Sequence, residues 1–208
     1  VSRYGPLKSV FPVAACLAIV SLFGPSRLDN LDPDEESAEG RVEAWYTGIW
    51  MLIRNPVFGV GKGNFTDHHY LAAHNTYVLA FAELGLFGYF FWVAFVALCV
   101  YMVWVASRAG PAPDGLPAAE AEEREHCRTV ARTYLYAMVG YLVGGMFLSR
   151  SYNPILFLMC ALCVAIYQVM RTRWPSTPAV TFRAMALPLL AIEIGSIVFM
   201  YLVTRVLL

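Results

Sequence analysis

Three of the four histidines lie within seven residues, at His68, His69 and His74, and His74-Asn75 then leads directly into a long apolar segment. A neutral imidazole accepts a proton near pH 7, so His74 is a candidate general base. Asn75 can orient that imidazole or cap the helix that follows. A structural zinc site needs four converging ligands, and adjacent histidines on regular structure point apart. We therefore expect no metal at these residues.

Arg41 opens a second candidate segment, RVEAWYTGIWMLIRNP, residues 41–56. Apolar residues recur there at helical spacing, at Val42, Trp45, Tyr46, Ile49, Leu52 and Ile53. Pro56 should end this helix, whose tryptophans and tyrosine suit the membrane interface. An arginine at a helix N-terminus opposes the helix dipole unless an anion is shared with the free backbone N–H groups. A phosphate group would suit this position. The alternative is that Arg41 forms a surface ion pair with Glu39 or Glu43.

Two loop motifs beside these residues are less specific. The sequence NPVFGVGKGNF, residues 55–65, has glycines at alternate positions that include Gly59 and Gly61, which allows a tight turn and close approach to a ligand. It is neither a P-loop nor a dinucleotide-binding motif. Asp32 and Asp34 form a D-x-D pair that can hold a divalent cation, but this spacing arises easily by chance, so we expect an ordinary acidic loop.

The composition indicates an all-α, polytopic membrane helix bundle. The chain is 59% hydrophobic and 14% charged, against about 45–50% and about 25% in soluble domains. Its formal net charge of zero argues against a nucleic-acid partner. We predict five spans of about 20 residues, at residues 8–24, 76–106, 131–149, 154–170 and 184–204. The second is longer than a bilayer requires and should project above it or bend at Gly85 and Gly88.

Lysine and arginine near the span ends predict the orientation. The richer set flanks the N-terminus, the Pro/Ala/Glu-rich linker 107–130 and the segment 171–183, which we place in the cytoplasm. The loop 25–75 and the turn 149–154 should then lie on the outer side. The few basic residues there cluster with the histidines, and charge at a membrane surface marks a candidate functional site.

The five cysteines do not suggest a disulfide framework. Cys160 and Cys163 form a C-x-x-C pair, which can indicate redox or metal chemistry. The pair lies in an apolar run without a neighbouring histidine or charge, so we expect plain packing.

The strings RVEAWYTGIWMLIRNPVFGVGKGNF and AHNTYVLAFAELGLFGYFFW, in this order, resemble the O-antigen ligase and O-antigen polymerase family of bacterial membrane glycosyltransferases. The resemblance implies a glycosyltransferase-C-like architecture in the inner membrane. It also implies transfer of a glycan from undecaprenyl diphosphate at the periplasmic face, with no nucleotide sugar, metal or other cofactor. The acceptor hydroxyl or amide belongs to lipid A–core, a growing polysaccharide or a protein.

By this resemblance, the family's arginine in R-x-x-x-W maps onto Arg41 and its H-N histidine onto His74. A second family arginine lies in an S-R-G-like motif, which SRYG at residues 2–5 resembles, although the predicted topology places Arg3 inside. The chain starts at Val1 in mid-pattern. We therefore expect a single membrane domain over 1–208 that is the C-terminal part of a longer protein, with 25–75 as its periplasmic catalytic loop.

The expected chemistry is one displacement with inversion at the anomeric carbon. His74 takes the acceptor proton, and Arg41 holds the diphosphate. The expected substrate-binding residues are Arg150, Lys62, Asn75, Trp45, Gly59 and Gly61.

The alternative function is a transporter or flippase for lipid-linked glycans. Its motivation is Glu193 in the fifth span, near Pro188 and Gly195, because an intramembrane carboxylate beside helix breakers can mark an ion path. We prefer a glutamate buried against a neighbouring helix.

Overall fold

The computed structural model of the protein describes residues 38–110 and 115–208. Within them the chain is all-α, which confirms the predicted fold class. The five helices are α1 (Ala38–Arg54), α2 (Thr76–Arg108), α3 (Ala118–Gly144), α4 (Pro154–Arg173) and α5 (Phe182–Leu207), with a 3-10 turn at Phe65–Asp67. The predicted span 8–24, the pair Asp32 and Asp34, and Arg3 lie outside the described residues.

Three helices are long and apolar enough to cross a membrane, namely α2, α4 and α5. They confirm the spans predicted at 76–106, 154–170 and 184–204. The span predicted at 131–149 is not among them. Its helix, α3, begins at Ala118 with a run of charged residues and ends at Gly144, five residues before the expected end.

Part of the linker predicted at 107–130 is helical and forms the first half of α3. Residues 118–130 are largely exposed, as expected for a solvated segment, but they are helical. Alanine and glutamate are strong helix formers, and Pro117 supplies the extended residue that precedes the first turn.

Helix α1 ends at Arg54, before Asn55-Pro56, as predicted. Its apolar stripe divides between two environments: Trp45 and Leu52 are buried in the protein, whereas Tyr46 and Ile53 are exposed. The helix approaches α2 closely at Gly48, where a Cβ would lie 2.5 Å from a methyl group of Val78.

Helix α2 is a hairpin rather than one rod. Gly85 has φ 64° and ψ −176°, which breaks the helix into α2a (76–84) and α2b (86–108). The ring centroids of Tyr77 and Trp92 are 6.1 Å apart, although 15 residues of straight helix would separate them by about 22 Å. Helix α2a therefore folds back along the first two turns of α2b. The predicted bend at Gly85 is confirmed, whereas Gly88 is helical.

Helix α2 is the centre of the bundle and packs against the other four helices. Cys99 on α2 and Cys160 and Cys163 on α4 are free and buried in this packing, which agrees with the packing role expected for the C-x-x-C pair.

Candidate functional site

The candidate site lies where the chain enters α2a. Asn75 and Thr76 are almost completely buried, and the turn after α3 wraps around them. The Asn75 side chain accepts hydrogen bonds from the backbone N–H groups of Tyr77 and Val78, and its Nδ2 donates to the Met146 carbonyl at 3.1 Å. The amide is thus fully used within the protein. The geometry favours the helix-capping alternative for Asn75 over direct substrate binding.

Thr76 holds the turn that carries Arg150. Its hydroxyl donates to the Leu148 carbonyl at 2.6 Å and accepts from the Arg150 backbone N–H at 3.0 Å. Its carbonyl accepts from the Ser151 hydroxyl at 2.6 Å. These bonds place the backbone of Arg150 beside the residues that follow His74, while the Arg150 side chain is exposed.

Trp45 ties α1 to the residue before His74. Its indole Nε1 donates to the Ala73 carbonyl at 2.9 Å, and both residues are buried. Arg41 lies one helical turn before Trp45, in the first turn of α1, and is half-buried. In the structure, Trp45 of the R-x-x-x-W element is thus an anchor that brings the Arg41 helix to the His74 loop.

His74 has φ 46°, and no other non-glycine residue in the described part of the chain has a positive φ. A left-handed conformation costs an L-residue roughly 1–2 kcal/mol. Ala73 and Asn75 on either side have no exposed surface, so the neighbours impose this conformation. The imidazole is half-buried and makes no hydrogen bond within the described residues. Strain of this kind is typical of functional sites.

The neighbouring histidines do not join His74 in a metal site. His69 Nδ1 accepts from the Leu71 backbone N–H at 3.1 Å, and its ring stacks on Tyr70, while His68 is exposed. No group of three His, Cys, Asp or Glu side chains with metal-binding geometry occurs within residues 38–110 and 115–208.

The glycine-rich loop closes the break in α2. Its backbone forms hydrogen bonds of 2.8–3.1 Å with the backbone groups that the break leaves without helical partners. On one side the N–H groups of Val60 and Gly61 donate to the carbonyls of Ala82 and Glu83. On the other side the N–H groups of Leu86 and Phe87 donate to the carbonyls of Pro56 and Val57. Gly59 and Gly85 meet backbone to backbone: a Cβ on Gly59 would lie 2.5 Å from the Ala82 oxygen, and a Cβ on Gly85 would lie 2.4 Å from the Gly59 nitrogen. The close approach foreseen for these glycines is therefore to the helix break. Substrate binding by Gly59 and Gly61 stays a prediction.

Glu83 is a buried polar residue that the sequence reasoning did not single out. It is 3% exposed, and its Oε1 accepts from the Phe65 backbone N–H at 3.3 Å. Its Oε2 and the Tyr152 hydroxyl are both buried, and neither meets the distance and angle criteria for a hydrogen bond within the described residues. Burial first, and the Glu83 carboxylate second, raise the pKa of the Tyr152 phenol. The available signal was a carboxylate in the apolar string AFAELGLFG.

Lys62 lies over the Tyr152 ring, with its Nζ 5.2 Å from the ring centroid. The glycine-rich loop and the turn 149–153 therefore meet at Glu83, Tyr152 and Lys62. The structure thus brings Trp45, His74, Asn75 and the Arg150 backbone together directly, and Lys62 reaches the same turn.

Comparison with known proteins concerns the first part of the chain. Residues 3–93 match the family model described as O-antigen ligase. No curated protein and no solved structure gives a significant match. The matched segment includes Arg41, Trp45, the glycine-rich loop and His74, whereas Arg150 lies beyond it. The match therefore confirms, over residues 3–93, the resemblance to the O-antigen ligase family that the sequence motifs predicted.

Proposed function

We propose that this protein transfers a glycan from undecaprenyl diphosphate to an acceptor hydroxyl or amide, at the periplasmic face of the bacterial inner membrane. The family match indicates glycan transfer in polysaccharide or lipopolysaccharide biosynthesis by a membrane protein. The proposal adds the donor, the acceptor groups and the residues that act on them.

The conformation of His74 is the observation that carries the proposal. His74 has a strained backbone conformation and lies between two fully buried residues, Ala73 and Asn75. Trp45 links Ala73 to the helix that carries Arg41, and Thr76, which follows Asn75, links this segment to the turn that carries Arg150. A proton acceptor is thus held beside elements that carry positive charge.

The proposed reaction is a single displacement. The acceptor oxygen or nitrogen forms a bond to the anomeric carbon as the bond from that carbon to the diphosphate oxygen breaks. The acceptor proton passes to an imidazole nitrogen of His74, and undecaprenyl diphosphate leaves with the bonding electron pair. One displacement inverts the anomeric centre.

The diphosphate requires positive groups that are in place before the bond breaks. A guanidinium binds phosphate oxygens through two parallel N–H groups. This suits Arg41 in the first turn of α1, because the N–H groups of a helix N-terminus also favour an anion. Arg150 and Lys62 supply further charge from the turn and the loop. Preorganised charge of this kind contributes several kcal/mol to transition-state stabilisation.

The test is transfer from a lipid-linked glycan donor to candidate acceptors by the purified full-length protein. We expect His74→Ala to lower turnover about a hundred- to ten-thousand-fold while donor binding persists. Arg41→Lys should weaken donor binding as well, because an ammonium does not replace a bidentate fork. His126→Ala and Arg171→Lys, on exposed positions of α3 and α4, are the matched controls.

Two results would count against this assignment. Wild-type rates of transfer in both His74→Ala and Arg41→Lys would exclude the proposed catalytic roles of these residues. Loss of donor binding in His74→Ala with full binding in Arg41→Lys would reverse the two roles. The same assay also tests whether transfer requires a metal ion. We expect EDTA and the double substitution Asp32→Ala, Asp34→Ala to leave transfer nearly unchanged. Inhibition by EDTA that magnesium or manganese reverses would establish a metal requirement.

The transporter alternative gains no support from Glu193. This carboxylate is 3% exposed and lines a groove of about 770 Å³ whose other lining residues are apolar, on the loop after α1, on α2b and on α5. An ion path needs successive polar groups across the bilayer, and the lining of this groove supplies only one.

A further inference from the structure

Three arginines line one pocket at the end of the bundle opposite His74. Arg108 at the end of α2 and Arg128 and Arg132 on α3 surround a cavity of about 410 Å³. The Arg108 guanidinium lies 5.8 Å from the centroid of the Trp104 ring. Arg128 pairs with the exposed Glu125, so three positive charges meet one negative charge. Arg108 follows Trp92 by 16 residues, or about 24 Å along α2b.

An apolar groove of about 710 Å³ continues from this basic pocket. The two cavities share Trp104, Leu135 and Tyr136 in their linings. From there the groove runs between α2b, α3 and α5 along mostly apolar side chains, and its far end is lined by Tyr77, Tyr89 and Ser196. A single elongated molecule can therefore occupy both cavities, with a polar end among the arginines and an apolar end in the groove.

The basic pocket lies where α2b leaves the bilayer. The 23 residues of α2b extend about 34 Å, slightly more than the hydrocarbon thickness of about 30 Å. Trp104 and Tyr136 at the pocket are 41% and 67% exposed, and aromatic side chains of this kind concentrate at the membrane–water boundary. The pocket is therefore at headgroup level and the groove is at the level of the acyl chains.

We propose that the two cavities together bind one anionic phospholipid, with its phosphate among Arg108, Arg128 and Arg132 and one acyl chain in the groove. Guanidinium groups match phosphate oxygens in charge and geometry, and basic pockets between membrane helices bind anionic headgroups. A free phosphate would leave the groove unused. A neutral acyl compound would leave the arginines unused. The site lies in the leaflet opposite the transfer site and does not depend on the transfer reaction.

Native mass spectrometry of the full chain in detergent tests the charge requirement. Phosphatidylglycerol should bind at least about tenfold more tightly than phosphatidylcholine, and Arg108→Gln with Arg132→Gln should weaken its binding about ten- to thirtyfold. Arg171→Gln with Arg173→Gln makes the same charge change at the same end of the bundle, outside the pocket, and should bind like wild type. Equal affinity for the two lipids, or no effect of the pocket variant, overturns the proposal.

Two further measurements distinguish a bound lipid from a bound free anion. Ala97→Phe narrows the groove and should weaken binding of phosphatidylglycerol at least fivefold, since its acyl chain loses room while the arginines are unchanged. Unchanged binding in Ala97→Phe excludes the acyl-chain position. Inorganic phosphate should fail to displace the lipid at equal concentration; displacement would identify a free-anion site and refute the lipid. Should the double arginine variant not fold, Arg132→Gln alone, at an exposed position, provides the charge test.

Discussion

At the scale of single residues, the described site is organised around the backbone of His74. The strain at φ 46° is local, whereas the contacts that maintain it come from α1, the turn 145–151 and α5. The residue type and the motif around it predict a functional role for His74. They do not reveal the positive φ, because that conformation depends on Ala73 and Asn75 being fixed by distant partners.

Substitutions at His74 should separate strain from chemistry. Asparagine tolerates the left-handed region, whereas a β-branched residue does not. We expect His74→Asn to unfold within a few degrees of wild type and to lose transfer a hundredfold or more. His74→Val should lose transfer and also about 1–2 kcal/mol of stability. Thermal unfolding in detergent beside the transfer assay measures both effects. Full transfer by His74→Asn would contradict the general-base role.

Tyr152 should make stability depend on alkaline pH. Its pKa is raised in the folded protein by burial and by Glu83, so the unfolded chain loses the phenolic proton first as pH rises. The stability that Tyr152 contributes is therefore present below about pH 10 and declines above it. The difference in melting temperature between wild type and Tyr152→Phe should shift in favour of the variant between pH 9 and pH 11. Tyr136→Phe, at an exposed position, controls for loss of a hydroxyl; an equal shift in both variants would contradict the prediction.

At the scale of elements, the sequence predicted most helices but not the way in which two of them differ from simple spans. The bend at Gly85 was expected from the length of the apolar run. The fold-back of α2a was not, because it depends on the loop after α1 supplying backbone partners to both broken helix ends. The helix over 118–130 was not predicted, because a charged segment rich in proline and alanine also indicates a solvated linker, whereas the intrinsic preference of alanine and glutamate is helical.

The glycine-rich loop offers a direct test of this closure. Gly59→Ala and Gly85→Ala each place a methyl group within 2.5 Å of backbone atoms. Gly63 also has a positive φ, at 89°, but open space around it, so Gly63→Ala isolates the conformational cost of about 1–2 kcal/mol. We expect Gly59→Ala and Gly85→Ala to destabilise the protein by about 3 kcal/mol more than Gly63→Ala does. Equal losses in melting temperature for the three variants would show that backbone contact at the break contributes nothing.

At the scale of the whole described bundle, the two candidate sites occupy opposite ends. Phe65 bonds to Glu83 near the break in α2, and Arg108 lies at the far end of α2b. The intervening 23 residues are long enough to cross the hydrocarbon layer. The apolar composition predicted the membrane class correctly. Helix α3 is less apolar than α2, α4 and α5, because its apolar part is short and follows a charged stretch, yet it runs from the Arg108 end of the bundle to the turn beside Thr76.

The orientation of this bundle can be measured by cysteine accessibility. Asp67 is exposed at the end that carries the proposed transfer site, and Glu122 is exposed near the start of α3. With the native cysteines replaced, Asp67→Cys should react with a membrane-impermeant maleimide in cells whose outer membrane alone is permeabilised. Glu122→Cys should react only after the inner membrane is opened, because the arginines nearby favour the cytoplasm. Unfolded protein would label at both positions under both conditions, which denatured samples will calibrate. If Glu122→Cys labels first and Asp67→Cys is protected, the bundle is inverted, and a periplasmic transfer reaction at His74 is excluded.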